Sequence, residues 1–341
     1  MKKTVALVYG GEGAERHISK RSAAALYPHI DREKYGVVPV YINPEGSWYI
    51  TERDPFGASP TVGARPTFPV RIHGVSGLLT DGRIMKTDCA IPLLHGDLGE
   101  DGVIAGVLRA AHIPFVGEGV GGSALCADKI YTKLVADSLG IRSADWLWAR
   151  GTDTDSILSA KRRAEEKLGY PMFIKPSSLG SSIGASAVPT EEDFIPAYTG
   201  AARYGRVLIE RQVDVDCEVE CALLTVGGKR RISASGIVRT GSEFYSFERK
   251  YGKAGPRTLH GVEKTDTLAE IERMAEALAD AIGLGSMARL DFFIDRLGRI
   301  YFNEINVIPG MTEASLYPRL TEDMGFAPFE FINLLIEEAT V

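Results

Sequence analysis

The amino-terminal part of the chain alternates between short apolar runs and segments in which apolar residues recur at helical spacing. The predicted strands are Thr4–Val8, Val37–Ile42 and Asp88–Leu94, and the predicted helices are Ala14–Leu26 and Gly102–Ala111. Residues Pro44–Lys86 are rich in Gly, Pro and Thr, which predicts a surface excursion of loops and short strands. Strands that alternate with helices are typical of a parallel sheet. The pattern therefore predicts an α/β domain with a doubly wound parallel sheet over residues 1–122.

The pattern changes twice after this domain. In residues 123–211 we expect helices at Asp128–Leu139 and Asp155–Leu168, and strands at Pro171–Lys175, Ile183–Val188 and Arg206–Ile209. In residues 212–341 we expect strands at Glu218–Leu224, Arg231–Val238, Arg289–Ile294 and Arg299–Ile305, and helices at Thr267–Ile282 and Pro328–Glu338. Strands and helices are segregated in this last unit, which favours an α+β fold. A long polar loop, residues 239–262, interrupts it.

Composition and charge exclude several classes of protein. Apolar residues make up 45% and charged residues 25% of the chain, the balance of a globular protein with a substantial core. The net charge is −6, from 39 basic and 45 acidic residues, which argues against a nucleic-acid partner. No apolar run approaches the ~20 residues of a membrane span, so we expect no membrane association.

The cysteines indicate neither a disulfide framework nor a zinc site. They are Cys89, Cys126, Cys217 and Cys221. Four in a chain of this length is too few for a disulfide scaffold, and no histidine completes a zinc-binding pattern around the last two. We interpret them as small core residues of a cytoplasmic protein.

Three polar loops follow predicted strands, where parallel sheets bind ligands. The glycine-rich turn Tyr9–Glu15 lacks the third glycine of a dinucleotide fingerprint, because Arg16 stands at that position. The loop His95–Gly102 holds three glycines, a histidine and acids, and the loop Lys175–Gly184 is rich in Ser and Gly. Small residues let backbone N–H groups approach phosphate oxygens. Each loop has a plainer interpretation: a simple connection, a capped helix start, or a flexible segment.

The strongest physical signal is a predicted hairpin near the carboxyl end. Two strands flank a turn that contains Gly298. We expect Ile294 to pair with Arg299. In that register Arg289 lies opposite Glu304, with Asp291 diagonal to it at ~7–8 Å.

This hairpin offers oxygen ligands on one face. Glu304 and Asn306 are two residues apart, so both point to the same side of a strand. Together with Asp291 they supply the carboxylate and amide oxygens that Mg²⁺ prefers beside nucleotide phosphates. An amphipathic surface hairpin is the alternative, but the apolar sequence that follows favours a metal site.

Taken in order, these segments resemble the D-alanine–D-alanine ligase family of ATP-grasp ligases. The similar segments are His95–Gly106, Ser123–Lys129, Lys175–Ser182, Arg289–Asp291 and Asn303–Thr312. The resemblance covers essentially the whole chain and implies a three-domain ATP-grasp fold with ATP between the second and third domains. Two departures are Ser178-Leu179, where relatives often carry charged residues, and Glu313, where many have Ser.

The resemblance also implies site residues. Catalytic roles fall on Glu15, Ser181, Tyr251, Arg289 and Gly310. ATP-binding roles fall on Lys129, Lys175, Ser182, Glu210, Glu218 and Lys250. Substrate-binding roles fall on His95, Ser315 and Leu316. Two Mg²⁺ (or Mn²⁺) ions would be held by Asp291, Glu304 and Asn306. Considered without the resemblance, Glu210 and Glu218 are more simply solvated strand residues.

The implied reaction activates one D-alanine as an acyl phosphate and joins it to the amine of a second, for peptidoglycan precursor synthesis. Within the family, the apolar Leu316 favours D-alanine over D-serine as acceptor, and the pair Lys250-Tyr251, which D-lactate ligases lack, argues against D-lactate. Glu313 and Tyr317 could still reach a hydroxyl group. Three other functions stay open: a ligase for another carboxylate, a non-catalytic nucleotide-binding protein, and a dinucleotide oxidoreductase, which Arg16 argues against. The oligomeric state is left open, with a homodimer as one option.

Overall fold

The computed structural model describes residues 2–51, 54–180, 182–238, 258–259, 265–312, 315–327 and 329–340. The strands are β1 Lys3–Gly10, β2 Tyr35–Ile42, β3 Trp48–Ile50, β4 Arg65–Pro66, β5 Phe68–Ile72, β6 Val75–Thr80, β7 Arg83–Lys86, β8 Cys89–Pro92, β9 Trp146–Ala149, β10 Met172–Pro176, β11 Ser186–Val188, β12 Val207–Arg211, β13 Val215–Val226, β14 Lys229–Val238, β15 Thr258–Leu259, β16 Met287–Asp295 and β17 Ile300–Asn306. The helices are α1 Arg16–Leu26, α2 Val103–Ala110, α3 Val120–Ala127, α4 Lys129–Ser138, α5 Thr154–Lys167, α6 Glu191–Ala202, α7 Asp266–Ile282, α8 Leu316–Asp323 and α9 Glu330–Ala339.

The amino-terminal sheet has the strand order β4-β3-β2-β1-β8. Its central strand β1 runs parallel to both β2 and β8, as the alternation of strands and helices predicts. The Gly- and Pro-rich excursion adds β3 and β4 as an antiparallel edge and forms a separate three-stranded sheet, β5-β6-β7. The predicted α/β character of this region is therefore confirmed.

The middle sheet, β11-β10-β12-β9, is antiparallel and carries α5 and α6. Helix α6 was not among the predicted elements, although its start carries a capping signal. Asp193 accepts hydrogen bonds from the Thr190 backbone N–H at 3.1 Å and from its hydroxyl at 2.7 Å. Pro196 lies inside the helix and obscures its pattern. Strand β11 is also shorter than predicted, because residues 182–185 form a turn.

The third sheet, β15-β14-β13-β16-β17, is antiparallel, and α7, α8 and α9 pack on it. This confirms the α+β prediction, but α8, like α3, was not predicted. One continuous apolar core joins this sheet to one face of the amino-terminal sheet and includes Leu7, Ile91, Leu223 and Phe292. The middle sheet has its own core, which includes Ile174 and Phe194.

The predicted register of the carboxyl-terminal hairpin is wrong. Ile294 pairs with Ile300, and Asp291 pairs directly with Glu304. The turn closes at Asp295, whose carboxylate accepts hydrogen bonds from the backbone N–H groups of Leu297 at 2.9 Å and Arg299 at 2.8 Å. A bulge after Asp291 shifts the register by a further residue. Two acids that were expected to be diagonal neighbours are therefore direct cross-strand partners.

Within the described residues, no helix is both long and apolar enough to span a bilayer.

Candidate active site

Four charged side chains meet on the face shared by β13, β16 and β17. Arg289 donates from Nε to Asp291 Oδ1 and from Nη2 to Asp291 Oδ2, both at 2.7 Å, and its Nε lies 3.4 Å from Glu220 Oε2. Glu304 lies directly opposite Asp291. We call Glu220, Arg289, Asp291 and Glu304 the acidic cluster. Burial alone favours the neutral guanidinium, but the surrounding carboxylates outweigh it and raise the pKa of Arg289.

The acidic cluster provides two of the three expected metal-binding side chains, Asp291 and Glu304, and cationic side chains contact the oxygens of both. Asp291 is chelated by Arg289, and Glu304 Oε2 lies 3.3 Å from Lys129 Nζ. Asn306 Oδ1 accepts a hydrogen bond from the Ile308 backbone N–H at 3.0 Å. Within the described residues no group of three or more His, Cys, Asp or Glu side chains is arranged to hold a metal. The donor set still fits a hard cation, because it consists of oxygens and its carboxylates already require positive partners.

Two lysines face the hairpin from the other elements. Lys129 begins α4 and donates from Nζ to the Leu179 carbonyl oxygen at 2.8 Å, beside its contact with Glu304. Lys175 lies on β10 and donates from Nζ to Asn303 Oδ1 at 3.3 Å. The structure therefore brings both predicted phosphate-binding lysines to neighbouring residues of β17.

Glu210 is not the solvated strand residue that its sequence context favours. Its carboxylate is buried, with Oε1 2.6 Å from Lys133 Nζ and Oε2 2.8 Å from Lys175 Nζ. Burial opposes ionisation, but the two ammonium groups outweigh it and lower the pKa of Glu210 to about 2. We call Lys133, Lys175 and Glu210 the lysine cluster. Lys133 was missed at the sequence level; its signal is a position four residues after Lys129 on the same helix.

The Ser- and Gly-rich loop is tied to the start of α4. Asp128 caps this helix by accepting from the Ile130 N–H at 3.0 Å, and it accepts from the Ser178 hydroxyl at 3.1 Å. Arg206 forms an ion pair with the same carboxylate. The Lys129 N–H donates to the Ser177 carbonyl at 2.8 Å. The uncharged Ser178 therefore holds the loop against the element that carries Lys129.

His95 links the amino-terminal sheet to the segment after β17. Its Nδ1 lies 3.1 Å from the Ile308 carbonyl oxygen, which can only accept, so Nδ1 carries the proton. Its Nε2 lies 3.0 Å from the Ser22 hydroxyl, and that oxygen accepts from the Met311 N–H at 3.2 Å. Glu100 Oε1 lies 3.7 Å from Nδ1, and burial raises the pKa of this carboxyl group. Ser22, which sequence reasoning missed, completes the link.

Glu15 precedes α1 and lies between two of the predicted ligand loops. A Cβ atom at Gly96 would lie 2.6 Å from Glu15 Oε2, and one at Gly180 would lie 3.7 Å from it. Gly96 has a φ of +72°, so both its conformation and its closeness to Glu15 favour glycine. The other two predicted members of the trio, Ser181 and Tyr251, lie outside the described residues, as do Lys250 and most of the 239–262 loop.

The predicted acceptor segment is compact. Ser315 Oγ lies 2.8 Å from Thr312 Oγ1 and accepts from the Thr312 N–H at 3.0 Å. A Cβ atom at Gly310 would lie 2.8 Å from Ser315 Oγ, so a larger residue at this position would require the Ser315 side chain to move. Leu316 is buried. Tyr317 donates its hydroxyl hydrogen to the Leu223 carbonyl at 2.7 Å and is 1% exposed, so it cannot reach an acceptor hydroxyl.

The remaining predicted residues lie at the margin of these groups. Glu218 pairs with Phe293 and lies two residues before Glu220 on β13, on the same face as the acidic cluster. Ser182 has a φ of +59° in the turn before β11. Glu313 lies outside the described residues.

Comparisons with known proteins agree with this arrangement. Residues 4–118 match the family model described as the D-ala D-ala ligase N-terminus, and residues 135–337 match the D-ala D-ala ligase C-terminus. The chain is 35% identical to a D-alanine–D-alanine ligase of Thermoanaerobacter over 98% of this chain and 97% of the relative. It is 34% identical to that of Geobacillus thermodenitrificans, over 98% and 95%.

Solved structures give the same result. The VanG D-Ala:D-Ser ligase from Enterococcus faecalis superposes with a TM-score of 0.88 at 28% identity, covering 99% of this chain and 100% of that one. The D-alanine–D-alanine ligase from Coxiella burnetii superposes with a TM-score of 0.83 at 30% identity, over 99% and 95%. The full-length matches, both family models and the ordered site segments together place this chain in the D-alanine–D-alanine ligase family, with its ATP-grasp fold.

Proposed function

We propose that this protein joins two D-alanine molecules with ATP as the energy source, to make a precursor for peptidoglycan. The observation that carries the proposal is the convergence of the acidic cluster with Lys129 and Lys175. These lysines reach Glu304 and Asn303 on the same strand. A group of carboxylates beside lysines matches the needs of phosphoryl transfer, which is mostly positioning and charge neutralisation.

ATP would place its phosphates between the lysines and the hairpin. Lys129 and Lys175 would contact phosphate oxygens, while Glu218 and the strand around Glu210 would lie on the nucleoside side. Asp291, Glu304 and Asn306 would hold Mg²⁺ (or Mn²⁺), which when bound neutralises charge on the transferring phosphoryl group.

The chemistry needs one nucleophilic carboxylate, one amine and a stabilised oxyanion. The carboxylate of the first D-alanine attacks the γ-phosphorus of ATP, the bond from that phosphorus to ADP breaks, and an acyl phosphate and ADP result. The amine of the second D-alanine then attacks the carbonyl carbon and displaces inorganic phosphate. Arg289 and the Gly310 N–H would stabilise the tetrahedral oxyanion, while Glu15 would orient the first substrate. The 239–262 loop, with Lys250 and Tyr251, would exclude water that hydrolyses the acyl phosphate.

We infer that the acceptor is D-alanine rather than D-serine. Leu316 offers no hydrogen bond, and the hydroxyl of Tyr317 is already bonded to Leu223. A buried serine hydroxyl without a partner would cost about 1–3 kcal/mol, roughly a 5- to 150-fold preference for alanine. D-serine is the second candidate, because the VanG D-Ala:D-Ser ligase has a similar structure.

Further parts of the proposal concern organisation and location. We propose domains at 1–122, 123–211 and 212–341, each built on one of the three larger sheets, with ATP between the last two. We place the protein in the cytoplasm, which the four buried free cysteines support. A homodimer is the assembly to test first, by light scattering on purified protein.

The deciding experiment measures phosphate release from ATP with and without D-alanine. Release that requires D-alanine supports the ligase, whereas D-alanine-independent release or none contradicts it. Mass spectrometry of products formed from equal concentrations of D-alanine, D-serine and D-lactate then identifies the acceptor. A dominant D-Ala-D-Ser or D-Ala-D-lactate product would overturn the acceptor assignment and leave the ligase assignment standing.

A further inference from the structure

Lys133 is a fully buried lysine in the middle of α4. Lysine is almost never fully buried without a partner, because removing an ammonium group from water is costly. Its partner is Glu210, whose Oε1 lies 2.6 Å from Lys133 Nζ. Burial lowers the pKa of Lys133 despite this carboxylate.

Glu210 connects Lys133 to Lys175. Glu210 pairs with Phe173 across β12 and β10, so Lys175 is its diagonal neighbour on the same face of the sheet. Glu210 Oε2 lies 2.8 Å from Lys175 Nζ, while Oε1 is taken by Lys133. The two carboxylate oxygens are thus divided between the two lysines.

This division has a consequence for charge. Without Lys133, Glu210 and Lys175 would form a neutral pair, and the carboxylate would compete with a phosphate for the Lys175 ammonium group. With Lys133 present, the lysine cluster holds two cations against one carboxylate. One positive charge is left over to attract an anion.

We propose that Lys133 is a positioning residue for ATP: it fixes and neutralises the Glu210 carboxylate, so that Lys175 can bind a nucleotide phosphate. The proposal rests on the proposed function, since it takes ATP to be the ligand of Lys175. Lys133 itself acts through Glu210 and need not contact the nucleotide.

The test is the variant Lys133→Met, which keeps an unbranched side chain one heavy atom shorter and removes its charge. The expected result is an increase of about tenfold in the KM for ATP, with kcat changed less than about threefold, the pattern of lost ground-state binding. The KM for D-alanine should not change. An unchanged KM for ATP, or a loss confined to kcat, would overturn the proposal.

A double-mutant cycle separates positioning from a general structural role. In the Glu210→Gln background, adding Lys133→Met should change the KM for ATP less than about twofold, because the route through Glu210 is already broken. If Lys133→Met raises the KM for ATP by the same factor in the wild type and in the Glu210→Gln background, the proposal is contradicted. If Lys133→Met alone does not fold, the double variant, which removes both members of the buried Lys133–Glu210 ion pair, is compared with Glu210→Gln. A KM for ATP that differs by more than about twofold between these two proteins then contradicts the proposal.

A matched control is Lys161→Met on α5. Lys161 also contacts two carboxylates, Glu165 and Glu191, and neither belongs to the candidate site. The Lys161→Met variant should leave the KM for ATP unchanged.

Calorimetric titration of the same variants with ATP and MgCl₂ keeps the inference separate from the proposed function. Wild-type protein that binds ATP but releases no phosphate with D-alanine refutes the ligase alone, whereas equal ATP affinity of wild type and Lys133→Met refutes the role of Lys133.

Discussion

The acidic cluster and the lysine cluster are both shielded from water, and they carry opposite excess charge. The acidic cluster sets three carboxylates against the Arg289 guanidinium and the Lys129 ammonium group beside Glu304, whereas the lysine cluster sets two ammonium groups against one carboxylate. Excess buried charge is costly until a ligand of the opposite sign arrives. We therefore expect a cation to complete the first cluster and an anion to complete the second, so that a metal-bound nucleotide would satisfy both at once.

Glu304→Gln gives the strongest test of this contrast. Removing a carboxylate from the acidic cluster should reduce D-alanine-dependent phosphate release on the order of a thousandfold, because metal charge stabilisation contributes several kcal/mol. The measurement is kcat at saturating ATP, D-alanine and Mg²⁺. Glu192→Gln, at an exposed position in the first turn of α6, is the control and should remain active. Near-normal turnover by Glu304→Gln would remove the acidic cluster from the mechanism.

Arg289→Lys asks whether the guanidinium of the acidic cluster does more than balance charge. Lysine keeps the charge but loses the two-pronged geometry that contacts Asp291. We expect kcat to fall about 100-fold, the scale of losing one oxyanion donor, with a smaller change in the KM for ATP. Arg299→Lys, in the same hairpin but half exposed, should keep most of the activity. Equal losses in both variants would indicate a general effect on the hairpin.

The acid stability of the protein should report the lysine cluster. The pKa of Glu210 is about 2 in the folded protein, below the value of about 4.3 typical of an unfolded chain. The carboxylate therefore stabilises the fold above about pH 4.3, and this contribution is lost as the pH falls toward 2. Between about pH 5 and pH 2 the free energy of unfolding of the wild type should drop about 3 kcal/mol more than that of Glu210→Gln. Urea titrations across this range measure the free energy of unfolding. If it falls by the same amount in the wild type and in Glu210→Gln, the prediction is contradicted.

Ser22→Ala provides the smallest effect, outside both charged clusters. The variant loses a neutral hydroxyl that bonds His95 and the Met311 N–H. Such a bond contributes about 0.5–1.5 kcal/mol, so we expect a small fall in thermal stability and at most about a tenfold increase in the KM for D-alanine. Ser138→Ala, whose exposed hydroxyl bonds within α4, is the control. An effect as large as that of Arg289→Lys would mean that the contrast between charged and neutral contacts is wrong.

Much of the fold could be predicted because buried strands have a strong local signature. The apolar runs of β1 and β16 were enough to predict those strands, and the two-residue period of a strand predicted that Glu304 and Asn306 lie on one face. Helix α6 was missed because Pro196 interrupts a pattern that the capping residues support. Local sequence does not encode the bulge after Asp291, which depends on pairing between strands.

The candidate site was predicted less completely, because its supporting residues act at a distance in the chain. Lys133 and Glu210 are 77 positions apart, as the numbering shows, yet they are in direct contact. Ser22 contacts Met311 from the far end of the sequence. A polar residue in an amphipathic helix gives no local sign of its partner, so a resemblance to known proteins was needed to identify the ligand-binding set.

The shared core of the first and third sheets has a consequence for how the protein is made. Leu7 and Ile91 pack in the same core as Leu223 and Phe292, although more than a hundred residues separate the two groups. During synthesis the amino-terminal sheet therefore leaves the ribosome with its core incomplete, because α1 packs on β1 but the third sheet, residues 215–306, has not yet been made. The core of the middle sheet contains only residues between 147 and 209, so it can form before the third sheet is synthesised. A nascent chain stopped near residue 215 should thus hold a protease-resistant middle segment and a protease-sensitive beginning, so the middle of the sequence becomes structured before the start.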